Sequence, residues 1–228
     1  MIKPLHIAID GPAAGGKTTV ARALSRRLHL LYLDTGAMYR ALAYLALHTG
    51  TEADNAPALR RLCDTDGIVV ALELEAPLGF RIFAAGCELD ESMLQSSEVT
   101  AIVSTIAAHP SVREAMVAKQ RALAESSAIV MAGRDIGTIV LPDASVKIFL
   151  TASIAARVDR RREQLERSGV HASRERLTEE IEERDRLDRS RAVAPLVPAA
   201  DAHVIDSSAM TVDDVVGAVV AIVERVAA

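Results

Sequence analysis

Residues 11–18 read Gly-Pro-Ala-Ala-Gly-Gly-Lys-Thr, a G-x-x-x-x-G-K-T spacing in which each residue type suits the holding of a polyphosphate. Gly11 lets the chain leave a strand. Gly15 and Gly16 lack the Cβ that would keep backbone N–H groups from closing on phosphate oxygens. Lys17 brings a point charge to the β and γ phosphates, and Thr18 a hydroxyl for Mg²⁺. A helix starting here points its partly positive end at the anion. A glycine-rich strand-to-helix turn with a surface lysine would share the pattern. The apolar run Ile7–Ile9 before it and the amphipathic stretch Val20 to Leu28 after it are the context of a phosphate loop. The loop alone does not say what happens to the nucleotide, because kinases, switches, motors and transporters share it.

Three other groups of residues carry chemistry. Asp34 and Arg40 follow the short run Leu30–Leu33, at what would be the carboxyl end of a strand, where open α/β sheets gather ligands. They serve equally well as a helix cap and a solvated cation. Arg134 and Asp135 lie between Gly133 and Gly137 after the run Ala128–Met131, again on the ligand side of a sheet, though a structural ion pair in a tight loop reads the same way. Last, the 35 residues from Arg157 to Arg191 hold 11 of the 22 arginines and none of the four lysines. Ten carboxylates are interleaved there, so two solvated helices laced with i,i+4 pairs would account for the charge. They would not account for the exclusion of lysine, whereas bidentate contacts to phosphate do. An arginine-rich hinged cover suits phosphoryl transfer, which needs water excluded and the migrating group held.

The elements that must position these groups follow from the pattern. Strands are predicted at Leu5–Ile9, Leu30–Leu33, Ala128–Met131, Val146–Leu150 and Ala202–Asp206, the last also as a core strand. Thr35 is the predicted N-cap of a helix running to about Leu47 and ended by Gly50. A short helix within 51–66 is closed by Asp66-Gly67. From Ile68 to Asp90 the texture is that of a small antiparallel insertion, with Ile68–Leu74, Phe80–Phe83 and Cys87–Leu89 as its strands. Residues 91–107 and 111–125 read as two helices parted by His109-Pro110. Thr151 or Ser153 caps the next helix and Gly169 ends it. Val212–Val226 is a closing amphipathic helix. The fold class is α/β: a five-stranded parallel sheet with helices on both faces, a small antiparallel β insertion and a helical lid.

At 228 residues, half of them apolar and a quarter charged, the chain is long enough for one α/β core with insertions. Its net charge of −5 argues against general affinity for nucleic acid or acidic membranes. No apolar stretch reaches the length of a membrane span, and Lys3-Pro4 leads straight into the first strand rather than into a signal peptide. Cys63 and Cys87 lack metal-site spacing and fit a reducing compartment. A cytoplasmic protein is expected.

With these residues laid out, the sequence resembles the bacterial cytidylate kinase family of nucleoside monophosphate kinases, nearly end to end. The resemblance rests on I-D-G-P-A-A-G-G-K-T-T at 9–19, L-D-T-G-A-M-Y-R at 33–40, G-R-D-I-G-T at 133–138 and E-R-D-R-L-D-R-S-R-A-V-A-P-L-V-P-A-A-D-A at 183–202. The last two motifs distinguish this branch from adenylate, guanylate and shikimate kinases. The resemblance implies transfer of the γ-phosphoryl group of MgATP to CMP or dCMP, and an enzyme that closes around two such small molecules can work as a monomer. It makes Gly11, Pro12, Ala13, Ala14, Gly15, Gly16, Lys17, Thr18 and Thr19 the ATP-binding residues, with Thr18 toward Mg²⁺. Arg40 and Arg134 match arginines that grip the acceptor phosphate. Ser104, Arg113, Asp135 and Arg191 match positions around the cytosine ring, and Arg184 and Asp188 positions near the pentose. Asp34 and Thr35 fall in the same CMP-binding set; some relatives carry serine at position 35. Arg157 and Arg161 match lid arginines that, with Lys17, stabilise the transferring phosphoryl group. The implied organisation is one domain, with a core of 1–35, 104–152 and 195–228, a nucleoside-monophosphate region at 36–103 and a lid at about 153–194.

Asp135 makes chemical sense as the reader of the base: a carboxylate accepts from the N4 amine of cytosine, whereas uracil presents a carbonyl there. A kinase for another small acceptor such as UMP, AMP or shikimate is the rival among enzymes. A GTP-dependent switch normally reads guanine with Asn-Lys-x-Asp, and the sole asparagine here, Asn55, is followed by alanine.

Overall fold

The computed structural model describes residues 4–65, 67–125, 127–167, 169–191 and 193–227. Three apolar runs become strands: β1 (His6–Asp10) and, beyond the elements named next, Ile129–Gly133 and Val146–Thr151. The first two are buried along their whole length, as strands of a parallel sheet covered on both faces must be. In chain order the elements are β1, α1 (Lys17–Leu28), β2 (Leu31–Asp34), α2 (Thr35–Thr49), α3 (Ala56–Asp64), β3 (Ile68–Leu72), β4 (Phe80–Ala84) and β5 (Cys87–Glu88). There follow α4 (Glu91–Leu94), α5 (Ser97–Ala108), α6 (Pro110–Ala124), β6 (Ile129–Gly133), a π-helical turn (Ile136–Val140), β7 (Val146–Thr151), α7 (Ile154–Arg167), α8 (Arg174–Ser190), β8 (His203–Asp206) and α9 (Val212–Ala227).

The parallel sheet has the order β2-β6-β1-β7-β8, with helices on both faces. β1 pairs with β7 from Ile7↔Val146 to Asp10↔Phe149, and β7 with β8 from Ile148↔His203 to Thr151↔Asp206. A second sheet, β3-β4-β5, is antiparallel, from Ile68↔Ala84 to Leu72↔Phe80 and on to Phe83↔Glu88. Its alternating burial marks a sheet with one face on the core.

The chain divides into two compact units. One, within His29–Ile129, holds α2 to α6 and the small sheet. Here Tyr32 packs against Phe80 with ring centroids 5.8 Å apart. The other, Leu5–Leu28 with Val130–Ala228, holds β1, β7, β8, α1 and α7 to α9.

Three expectations need correction. Asp34, not Thr35, caps α2: its carboxylate accepts from Gly36 N at 2.9 Å, while Thr35 is already the first helical residue. Residues 91–107 form two helices, because the first ends at its C-cap Gln95 and Ser96 caps the second by accepting from Val99 N at 3.3 Å. β8 is an edge strand rather than a core one, with Val204 61% exposed. Residues 136–140, for which no element is predicted, wind into a π-helical turn. Pro110 at the first turn of α6 and Gly50 in the left-handed region (φ 67°) after α2 stand as expected. Of the two candidates before α7, Ser153 accepts from Ala156 N. Asp66, expected to help close α3, and Ala192 within the 183–202 motif lie outside the described residues.

Candidate active site

Gly11 is required at the end of β1 for a reason more specific than flexibility. Its φ is +152°, and a Cβ there would lie 2.0 Å from the carbonyl oxygen of Leu150 on β7. The loop then turns through Ala14 (φ 54°) and Gly16 (φ 87°) into α1. Pro12 O accepts from Gly15 N at 3.3 Å and from Lys17 Nζ at 2.7 Å, so the lysine folds back over the loop it belongs to. Thr18 is half-buried and Thr19 exposed in the first turn of α1, which carries no acidic residue to oppose a bound anion.

Arg134 and Asp135 leave β6, the strand next to β1. The turn they open is held from β1: Asp10 Oδ1 accepts from Ile136 N at 2.7 Å and Oδ2 from Gly137 N at 2.8 Å. Asp135, buried at the head of the turn, makes no side-chain cap bond to it. Burial pushes the Asp10 carboxyl up to about 6; the two amides pull against this, the Asp135 carboxylate adds to it, and Lys17 opposes it.

The arginine-rich segment separates into two populations. Arg174 with Asp159, Arg186 with Glu183, and Arg162 and Arg167 with Glu166 and Glu163 are half to fully exposed pairs of the solvated kind. The others turn inward. Asp188, 2% exposed, accepts from Arg134 Nε at 2.7 Å and is also bonded by Arg191. Burial would raise its carboxyl, but Arg134 and Arg191, with Arg184, hold it below the usual carboxylate range. Three guanidinium groups around one carboxylate leave a net positive site at the carboxyl end of β6. Arg157 is buried, donating to Ala152 O, to Ala13 O and to Asp185. Arg160 donates to Ser207 Oγ and Ser207 O, and its Nη1 lies 3.7 Å from where a Cβ on Gly16 would be. Arg161 is half-buried and donates to Gln164.

Five of the expected site residues belong to the first unit. Asp34 and Thr35 open α2, and Arg40 on the same helix donates to Leu94 O and Thr100 Oγ1, both at 3.0 Å. The junction of α4 and α5 therefore fixes that guanidinium. Arg113 on α6 is 3% exposed, donates to Ala107 O and lies 5.5 Å from the Tyr39 ring centroid. Ser104 is half-buried on α5. Asp10, Arg160 and Asp185 also belong to this arrangement, although no motif spacing in the sequence gives them a role. Asp10 is visible as the carboxylate that closes the apolar run Ile7–Ile9.

The cytidylate kinase family model matches residues 7–225. The chain belongs to the cytidylate kinase family. The cytidylate kinase of Pelotomaculum thermopropionicum is 49% identical over 216 residues, which are 95% of this chain and 94% of that protein. That of Anoxybacillus flavithermus is 47% identical, covering 99% and 98%. Among solved structures, an uncharacterised protein from Eubacterium ventriosum has the same fold at a TM-score of 0.50 and 11% identity, covering 96% of this chain and 98% of that one. In this cytidylate kinase family member, no helix among the described residues is long and apolar enough to cross a membrane.

Proposed function

We infer that this chain transfers the γ-phosphoryl group of ATP to CMP or dCMP, giving CDP or dCDP and ADP. The observation that carries the reading is the pairing, in a cytidylate kinase family chain, of a phosphate loop ending β1 with an Arg134–Asp135 turn on neighbouring β6. An oxygen of the acceptor phosphate attacks the γ phosphorus in line, and the bond to the oxygen bridging β and γ breaks toward ADP. No general base is needed, since a phosphate monoester with a second pKa of about 6 is largely ionised at pH 7. Catalysis then consists of positioning and charge stabilisation.

In this proposal residues 11–19 bind ATP, and Lys17 leaves Pro12 O to follow the transferring group, joined by Arg157 and Arg161 of the lid at 153–194. Arg40 and Arg134 hold the acceptor phosphate. Asp135, Ser104, Arg113 and Arg191 hold the base, Arg184 and Asp188 the pentose, and Asp34 and Thr35, just before region 36–103, complete the CMP set. Thr18, a hydroxyl directly after Lys17 in the first helical turn, fits Mg²⁺, a cation that takes few protein ligands beside substrate phosphates. Bound there with ATP, the ion supplies neutralising charge. The proposal further holds that the enzyme works as a monomer on small molecules in the cytoplasm, without nucleic acid or membrane, which sedimentation and cell fractionation test. Lys17→Ala should lower turnover at least about a hundredfold while leaving CMP affinity within about threefold. Near-normal turnover in that variant contradicts the role given to the loop.

A further inference from the structure

Asp185 of α8 touches the phosphate loop directly, although nothing in the motif spacing calls for a carboxylate there. Its Oδ1 accepts from Ala13 N at 3.2 Å and its Oδ2 from Arg157 Nη1 at 2.5 Å. The same Arg157 Nη1 donates to Ala13 O at 3.2 Å, and Arg157 Nε to Ala152 O at 3.1 Å. Ala13 is thus gripped on both its N–H and its C=O, by one ion pair that is 8% and 6% exposed. A lone carboxylate this close to an anion-binding loop would repel phosphate, and Arg157 cancels that charge. The grip is reinforced by a small apolar cluster of Val158, Leu177 and Ile181, against which Ala14 packs. Ala14 holds φ 54°, a conformation an alanine keeps only when its surroundings impose it.

We propose that Asp185 is a positioning residue for the phosphate donor: it fixes the Ala13–Ala14 stretch of the loop and the Arg157 guanidinium together, so that the loop is shaped for ATP only while α8 is in place. Asp185 touches no reacting atom; it acts through the loop and through Arg157. The proposal rests on the reading of residues 11–19 as the ATP site.

The test is steady-state kinetics and calorimetric ATP binding on Asp185→Asn and Asp185→Glu, with Val219→Ala as a control. Val219 is a fully buried residue of α9 outside the tether, and its truncation lowers stability without altering a polar contact. Asp185→Asn places an amide donor against either Ala13 N–H or Arg157. The expected result is a KM for MgATP and a calorimetric Kd for ATP each raised about tenfold or more, with the KM for CMP within about twofold. Asp185→Glu keeps the charge but shifts the carboxylate, and it is expected to raise the ATP constants in the same direction, which keeps the test decisive if the asparagine variant does not fold. Unchanged ATP constants in a folded variant overturn the proposal, as does a loss shared equally between ATP and CMP and matched by Val219→Ala. Failure of the wild-type chain to bind ATP at all would instead overturn the reading on which it rests.

Discussion

Asp135 is where substrate choice is decided in this proposal, and its burial at the head of a turn makes its carboxylate costly to leave without a partner on binding. Asp135→Ala should lower the CMP-over-UMP ratio of kcat/KM by about tenfold or more, read from initial rates with each acceptor. An unchanged ratio removes Asp135 from base recognition. Asp10 supports that turn and has a signature of its own. Its carboxyl is raised from 3.8 to about 6, chiefly by burial, so the folded chain binds this proton more tightly than the unfolded one. The group therefore favours folding most below about pH 4, and that contribution falls as pH rises through about 6, by about 3 kcal/mol in all. Denaturant unfolding of wild type and Asp10→Asn across pH 4 to 7.5 should show the wild-type advantage shrinking over that window. A difference independent of pH contradicts the shift. Sequence legibility at this scale was uneven. Gly11, Lys17, Arg134 and Asp135 stand out by spacing, whereas Asp10 and Asp185 act through partners 126 and 172 positions away, which no local pattern reveals.

Elements were legible where one signal dominated. The apolar runs gave the strands of both sheets, and proline and glycine marked the start of α6 and the end of α2. They were illegible where two local signals competed: Ser96 is compatible with a continuous helix by periodicity, yet its hydroxyl prefers to cap a new one. That cap matters to the site because the α4–α5 junction receives Arg40 through Leu94 O and Thr100. Ser96→Ala should cost about 1 kcal/mol in urea unfolding and raise the KM for CMP severalfold. A stability loss with no change in that KM would separate the junction from acceptor binding. On the donor side, the contact of β7 with the start of the loop leaves no room for a side chain: Gly11→Ala should destabilise by more than about 3 kcal/mol, since a Cβ would sit 2.0 Å from Leu150 O. A loss under about 1 kcal/mol would show that the strand end can shift.

Over the whole molecule, the parallel sheet sets β6 and β7 on either side of β1, so that the phosphate loop and the Arg134–Asp135 turn leave neighbouring strands. That is the place where a doubly wound sheet gathers ligands. Half-exposed arginine pairs on α7 and α8 show why the arginine-rich segment was only partly readable: composition does not distinguish Arg162 from Arg157, and burial does. The measurement that tests the central claim most directly is ADP release from MgATP with CMP, dCMP, UMP, AMP and GMP supplied separately at equal concentration. Strong release with CMP and dCMP and little with the others is the expected result. Equal release with UMP would contradict cytosine selection by Asp135, and no acceptor-dependent release would contradict the phosphoryl transfer itself.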